Sequence, residues 1–485
     1  MVRGRAAIAF GAVSLAVLAL SGGHRDDPQT PAGLPGLPPP FLGVAVIGGG
    51  GRTAAVDAYG NVVDLRVPGP AGRPLVAVPA KRQMVGTVSS EDVRVVRVRL
   101  RDGRSLPLWR ADSVRQRYLP GTNLLRTVAR FGGERVAVVR RIGGPGAAEA
   151  DRRWLGRARP LGPAAPRWAR AMYQRSLLVL RALTDRHSGA VAAGARDGWA
   201  YVWPRDTGAV AIALAEAGYR PEAQRVARFL IGLDLDAAAR FGGTGAPVPR
   251  RAAQGDAAGW VAAAVRAAGI ERRPDGRRTA GGRSPSAEPG WRDRADYQEG
   301  DSGDFLANAI ASTAGRSAEG RSGVGYRPQS AQRRQGDWIA SAFGTRRGLV
   351  RRGSDPGSGL DSAAAWAVRP FPLPALFPAA RRTLRRLVSR RESRFGIVPS
   401  ESWQGGDDPW TAPTAWTAWS LAALDERRAA LRLMADLRRA ATPLGLLPER
   451  VDAHTGLPTS TTPLAWSHAF AILAIRELWP GRAGD

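Results

Sequence analysis

A chain of 485 residues with 44% hydrophobic content can bury a large core and suggests two to four domains. Its 71 basic against 42 acidic residues give a net charge of +29. Lys81 is the sole lysine, though, and the arginines are scattered rather than gathered with aromatics on one face, so a nucleic-acid partner is not expected. Peripheral contact with an anionic cell envelope is compatible with that charge. With no cysteine, disulfides, thiolate zinc sites and cysteine nucleophiles are excluded; the four histidines, His24, His187, His454 and His468, form no ligand-spaced pair, and no metal or cofactor is expected.

Arg3 and Arg5 precede an apolar run over 6–20 and then Ser21, Gly22 and Gly23, the layout of a secretory signal, so residues 1–23 predict export or an N-terminal anchor. The run is short for a transmembrane helix. A Pro- and Gly-rich linker over 24–40 follows. Residues 41–141 form short alternating segments, 54–65, 93–100, 124–131 and 135–139, separated by turn signals such as Tyr59-Gly60-Asn61, Asp102-Gly103 and Gly132-Gly133, and they predict a small β-domain. The glycine run 48–51 lacks a following Gly-Lys-Ser/Thr and reads as a strand turn, not a phosphate loop.

After a Gly/Pro/Ala joint over 142–150, residues 151–480 show helical spacing at 167–183, 207–217, 221–233, 256–268, 302–313, 361–368, 378–389, 414–424, 425–441 and 463–478. Segments near 272–286 and 315–335 are rich in Arg, Gly and Ser, lack apolar periodicity, and read as mobile insertions. From composition alone this is an all-α domain behind a β-domain, expected to act as a monomer or weak homo-oligomer.

Several polar residues sit where helices begin. Glu449 lies in a Pro- and Gly-punctuated loop between the 425–441 and 463–478 patterns, within GLLPERVDAHTG and ahead of PLAWSHA. Trp203, Arg205 and Asp206 stand in AYVWPRDTGAVAIAL, where Asp206 would also cap a helix starting at Thr207. Gln254 and Asp256 open QGDAAGWVAAA, and Glu299 follows Tyr297 and Gln298 in RADYQEGDSGDF. Trp366, Trp410, Trp416 and Trp466 offer flat faces for sugars, although for any one of them core packing is the plainer role. Ser467 and His468 are neighbours on a helix and point apart, which rules out a nucleophilic dyad and favours a structural hydrogen bond.

These segments together resemble glycoside hydrolase family 15, the inverting glucoamylase, glucodextranase and trehalase group. The resemblance implies an (α/α)6 toroid preceded by a truncated antiparallel β-sandwich, and exo-acting hydrolysis of an α-glucosidic bond in an α-glucan or oligosaccharide. It implies Glu449 as the base that activates water and Glu299 as the acid, with Trp203, Arg205, Asp206, Gln254, Asp256, Trp410 and Trp466 holding the sugar. This chain departs from the family pattern at Tyr297-Gln298-Glu299, where Trp-Glu-Glu is expected: an ungapped match puts Gln298 in the acid's position. The acid would then be Glu299, Asp301 or Asp304, or the protein would be an impaired, carbohydrate-binding relative. In FGIVPSESW, Pro399 and Ser400 stand where many relatives carry an arginine, which leaves the leaving-group side, and with it the linkage, undetermined.

Overall fold

The computed structural model describes residues 45–77, 95–196, 198–270, 291–299, 302–319 and 329–481. The expected export signal and linker, and the insertion near 272–286, lie outside them. Among the described residues no helix is long and apolar enough to cross a membrane.

The N-terminal part is antiparallel. Strands β1 (Ala45–Gly48), β2 (Thr53–Val56), β3 (Val62–Val67) and β4 (Arg73–Ala77) form a sheet in that order. The hairpin β5 (Arg97–Arg99) and β6 (Ser105–Pro107) is followed by a meander of β7 (Ser113–Tyr118), β8 (Leu125–Phe131) and β9 (Glu134–Arg140). The alternation read in 124–131 is real: β8 buries Leu125, Thr127 and Ala129 and leaves the residues between them more open. Gly48 to Gly51 form the β1–β2 turn, which is pressed onto the helical part. At Gly50 (φ +85°) a Cβ would stand 2.7 Å from the Thr184 carbonyl oxygen, so only glycine fits. Thr53 Oγ1 donates to the Ala182 carbonyl at 2.7 Å and Asn123 Nδ2 to that of Leu178 at 2.8 Å, which pins the β-part to the end of one long helix.

The helices sort by composition into two kinds. Helices α1 (Ala147–Leu155), α2 (Arg167–Leu183), α4 (Arg220–Ile231), α7 (Gln329–Phe343), α8 (Phe377–Ser389) and α10 (Arg427–Ala440) carry arginines on one side. That is the pattern of helices with one face in water. In contrast α3 (Pro204–Glu216), α9 (Thr411–Ala423) and α11 (Ala465–Leu478) are Ala-, Thr- and Trp-rich and buried all round over 204–214, 411–421 and 465–475, as only interior helices are. With α5 (Ala257–Ala267), α6 (Leu306–Glu319) and the 3₁₀ segment Ser362–Ala367 they make a closed inner ring. Each packs on the next in the order α3, α5, α6, 3₁₀ segment, α9, α11, and α11 returns to α3. Outside it, α2 backs α11, α4 backs α3 and α5, α7 backs α6, α8 backs the 3₁₀ segment and α10 backs α9. Small residues let the ring close: a Cβ on Gly259 would stand 2.1 Å from the Ala311 carbonyl oxygen.

The ring's centre is filled by edge-to-face aromatics. Trp416 meets Tyr297, Trp366, Trp466 and Phe470 at 5.3–5.4 Å, and Trp260 meets Phe371 and Trp366 at 5.0 and 5.1 Å. Each buried tryptophan removes roughly 150–250 Å² from water, worth about 4–6 kcal/mol. Trp366 and Trp416 are therefore core residues, fully buried.

Three sequence expectations need correction. The joint at 142–150 runs into helix α1, tied down by Asp151, which accepts from Asn123 N at 2.8 Å. Residues 315–319 and 329–335 belong to α6 and α7, not to an insertion; few of them are apolar, and periodicity was too sparse to reveal helices whose anchors, Ile310, Ile339 and Phe343, lie farther in. The helix expected at 361–368 is the short 3₁₀ segment.

Candidate active site

The polar residues singled out in the sequence all precede or open inner-ring elements, so they gather at one end of the ring. Trp203 is the N-cap of α3, Gln254 and Asp256 precede α5, Glu299 precedes α6, Trp410 precedes α9, and Glu449 lies in the α10–α11 loop. The aromatic plug forms the floor beneath them.

Arg205 is the hub. Its Nη1 donates to Gln254 Oε1 at 2.8 Å and Asp256 Oδ2 at 3.1 Å, its Nη2 stands 3.7 Å from Asp206 Oδ2, and its guanidinium lies 4.7 Å from the Trp466 ring centroid. All of these groups are buried, Arg205 at 3% exposure and Asp256 at 0%. Helix α3 begins at Pro204, not Thr207, and its N-cap is Trp203; the Asp206 charge sits in the helix's first turn, where the amide dipoles favour an anion. Burial nevertheless pushes the Asp206 carboxyl up to about 7, with the Glu449 and Asp256 charges adding to it and Arg205 opposing. Asp256 is raised as well, by burial first, against the pull of Arg205.

The sign of the pH effect follows. A carboxyl titrating near 3.8 when unfolded and near 7 when folded holds more proton in the native state, so its contribution to stability falls as pH rises across that window. Asp206→Asn should therefore gain stability relative to wild type on going from pH 5 to pH 8, by on the order of 2–4 kcal/mol, as read by thermal unfolding at both pH values. Equal differences at the two pH values would show that Asp206 is ionised throughout.

Glu449 is held from every side. Its N–H donates to the Thr461 carbonyl at 2.9 Å, its carbonyl accepts from Thr411 N at 3.1 Å, and Ser460 Oγ donates to its Oε2. The loop behind it rests on His468. Leu447 N donates to His468 Nε2 at 3.0 Å, which leaves the proton on Nδ1 to meet Ser176 Oγ at 2.9 Å. Full burial drives the His468 pKa down to about 3. Its bonds are structural, as the sequence suggested. Between pH 6.5 and 3 the unfolded chain takes up a proton that the folded imidazole refuses, so this histidine costs stability as pH falls. His468→Gln is expected to remove that acid sensitivity, on the order of 4 kcal/mol across the window, and to speed hydrogen exchange at the Leu447 amide. An unchanged acid limb of the stability profile would contradict it.

Glu299 adopts φ +55°, a left-handed conformation costly for a non-glycine residue. That turn aims its carboxylate at three donors: Trp203 Nε1 at 2.7 Å and Gln254 Nε2 at 3.0 Å on Oε1, and the Arg251 guanidinium on Oε2. Gln298 turns the other way, its Nε2 donating to Tyr297 Oη at 3.1 Å and Ser400 Oγ at 3.2 Å. Tyr297 Oη in turn donates to Asp361 Oδ1 at 2.7 Å, and Asp296 takes two bonds from Arg351. Burial, with Asp296 second, raises Asp361 to about 7. Of the other candidate acids, Asp304 is occupied by the Ser354 amide and hydroxyl, and Asp301 lies outside the described residues. Among the described residues no group of three His, Asp or Glu side chains is arranged to hold a metal.

Two aromatic roles change. Trp466 is 2% exposed with Arg205 on its face, so it positions the arginine rather than stacking on a sugar. Trp410 is buried against Trp403, edge to face at 5.0 Å. The residues that sequence reasoning missed are Ser460, Arg251 and Arg240. A hydroxyl-rich run, Ser460-Thr461-Thr462, and the Arg250-Arg251 pair ahead of Gln254 were the available signals.

Residues 167–232 match the sequence model described as "Glycosyl hydrolases family 15". No curated protein matches the chain. Among solved structures, the fold is similar to that of a wild-type glycosidase, at 21% identity over 64% of this chain and 96% of that one with a TM-score of 0.50. A variant glycosidase in complex with glucose matches at 20% identity over the same shares, also at 0.50. A bacterial glucoamylase complexed with acarbose matches at 15% identity over 68% of this chain and 58% of that one, again at 0.50. The similarity of this chain to family 15 thus rests on one matched segment in sequence and on a shared fold in three dimensions.

Proposed function

We propose that the inner ring with its outer helices is an (α/α)6 toroid and that its polar end is an exo-acting glycoside hydrolase site for the terminal unit of an α-glucoside, working by single displacement. The observation that carries this reading is that both glutamates flank one cluster: Glu299 accepts from Gln254, itself bonded to Arg205, and the Glu449 charge acts on Asp206 and Arg251, with Glu449 oriented by Ser460 and both its backbone bonds. An inverting pair needs carboxyls roughly 6.5–9.5 Å apart so that water fits between base and sugar. Glu449 is the base. Arg205, Asp206 and Gln254 read the hydroxyls of the terminal sugar, because charge-assisted donors and acceptors in fixed positions discriminate best.

Glu299 is the acid of this reading, and in the resting site Arg251 occupies its outer oxygen. Substrate must draw that guanidinium aside. A second reading is favoured by Gln298, which an ungapped match puts at the position of the family's acid and which Tyr297 and Ser400 hold turned away from Glu299. It makes the protein a carbohydrate binder that has lost its proton donor. The test is sugar release, with its anomeric form, from maltooligosaccharides, isomaltooligosaccharides and trehalose by wild type and E299Q. β-Glucose released by wild type and not by E299Q supports the enzyme; binding with no release by either favours the binder.

A further inference from the structure

Two arginines besides Arg205 stand beside the groups of this site. The Arg240 guanidinium lies 4.5 Å from the Tyr201 ring centroid and 5.6 Å from that of Trp203. That of Arg251 lies 5.9 Å from the same Trp203 ring, with its side chain 44% exposed. Trp203 is the residue whose indole N–H holds Glu299, so both cations border the sugar-reading groups directly. Arg251 is paired with Glu299. Among the described residues Arg240 donates only to the Gly198 carbonyl at 3.3 Å, its buried Nε has no partner, and no carboxylate pairs with it. Like charges are thus held together: after burial, the Arg240 charge is the main influence lowering the Arg251 pKa, and Glu449 pulls the other way. The nearby Asp236 does not relieve them, since it pairs with Arg294.

Aromatic faces can carry a guanidinium group, but they do not neutralise the charge on Arg240. What does so is an anionic oxygen group, which arginine's planar fork binds in bidentate fashion. We propose that Arg240 and Arg251 form an anion-recognising wall of the pocket, and that the bound glycosyl unit carries a carboxylate or phosphate group. The inference rests on the sugar-site reading and deepens it. An anionic substituent engaging Arg251 draws it from Glu299 and frees the Oε2 that this arginine covers. Substrate charge would then open the site, and neutral glucosides would bind to a pocket still closed by its own ion pair.

The test is calorimetric titration of three matched ligands, a neutral maltooligosaccharide, the same oligosaccharide ending in glucuronate, and the one ending in glucose 6-phosphate. Wild type, R240Q, R240K and R251Q are compared at low and high salt, with unfolding midpoints recorded to show that each variant is folded. Wild type is expected to prefer at least one anionic ligand by tenfold or more, with the preference shrinking at high salt. R240Q should lose most of that preference, and R240K should keep part of it. Which anionic ligand wins separates a uronic acid from a sugar phosphate. Equal affinity for neutral and anionic ligands would overturn the inference and leave the sugar site standing. Inorganic phosphate binding as tightly as the sugar phosphate would also overturn it. Binding of no sugar at all would remove the underlying reading, and the inference with it.

Discussion

Glu449→Gln is expected to lower hydrolysis by about 10²–10⁴-fold, the range a positioned general base supplies, while leaving sugar affinity within about threefold. Glutamine is nearly isosteric, and its amide oxygen still accepts from Ser460 Oγ, so the loop held by Thr411, Thr461 and His468 should not move. The loss should appear in kcat with little change in KM, because water activation matters only in the transition state. Unfolding midpoints within a degree or two of wild type would exclude a folding defect. Retained turnover would mean that the base lies elsewhere, and equal loss of affinity and rate would mean that Glu449 binds sugar rather than activating water.

Arg205→Met is the substitution with the largest expected effect on stability. It keeps the length of the stem but removes the only cation among the described residues that is bonded to Gln254, Asp256 and Asp206, all of them buried. Stripping one partner from a buried charge cluster costs about 3–5 kcal/mol, since the remaining charges stay desolvated and repel one another. The penalty should be larger at pH 8 than at pH 5.5, because the Asp206 carboxyl, raised to about 7 even with Arg205 present, takes up a proton at the lower pH and removes one of the two negative charges. Denaturant unfolding of R205M, D206N and the double variant at both pH values checks this. A double variant more stable than the sum of the two single effects allows would establish the coupling, and strict additivity would refute it.

Much of this architecture was legible in the chain. The three- and four-residue spacing of α2 gave its limits, and the arginine-studded outer helices differ visibly from the Ala/Trp-rich inner ones. The alternation and turn residues of β2, β3, β8 and β9 told strand from helix. Legibility failed where local pattern and tertiary role part company. Helix α1, the end of α6 and the start of α7 have too few apolar residues to announce themselves. Trp466 reads as a sugar platform in sequence because an exposed and a buried tryptophan look alike until the neighbours are known; here the neighbour is Arg205.

For the site, the sequence by itself determined which residues stand at the starts of inner helices, namely Trp203, Arg205, Asp206, Gln254, Asp256, Glu299 and Glu449, because capping and turn chemistry are local. Only the tertiary structure decided how they are wired. It joined Arg205 to Gln254 and Asp256 ahead of another helix, turned Glu299 toward Trp203 and Gln254 and Gln298 toward Ser400, and set Arg251 on the Glu299 carboxylate. These pairings link residues 45 to 102 positions apart. Hydrogen bonds and charge shifts depend on distance and burial in space, which no spacing along the chain encodes.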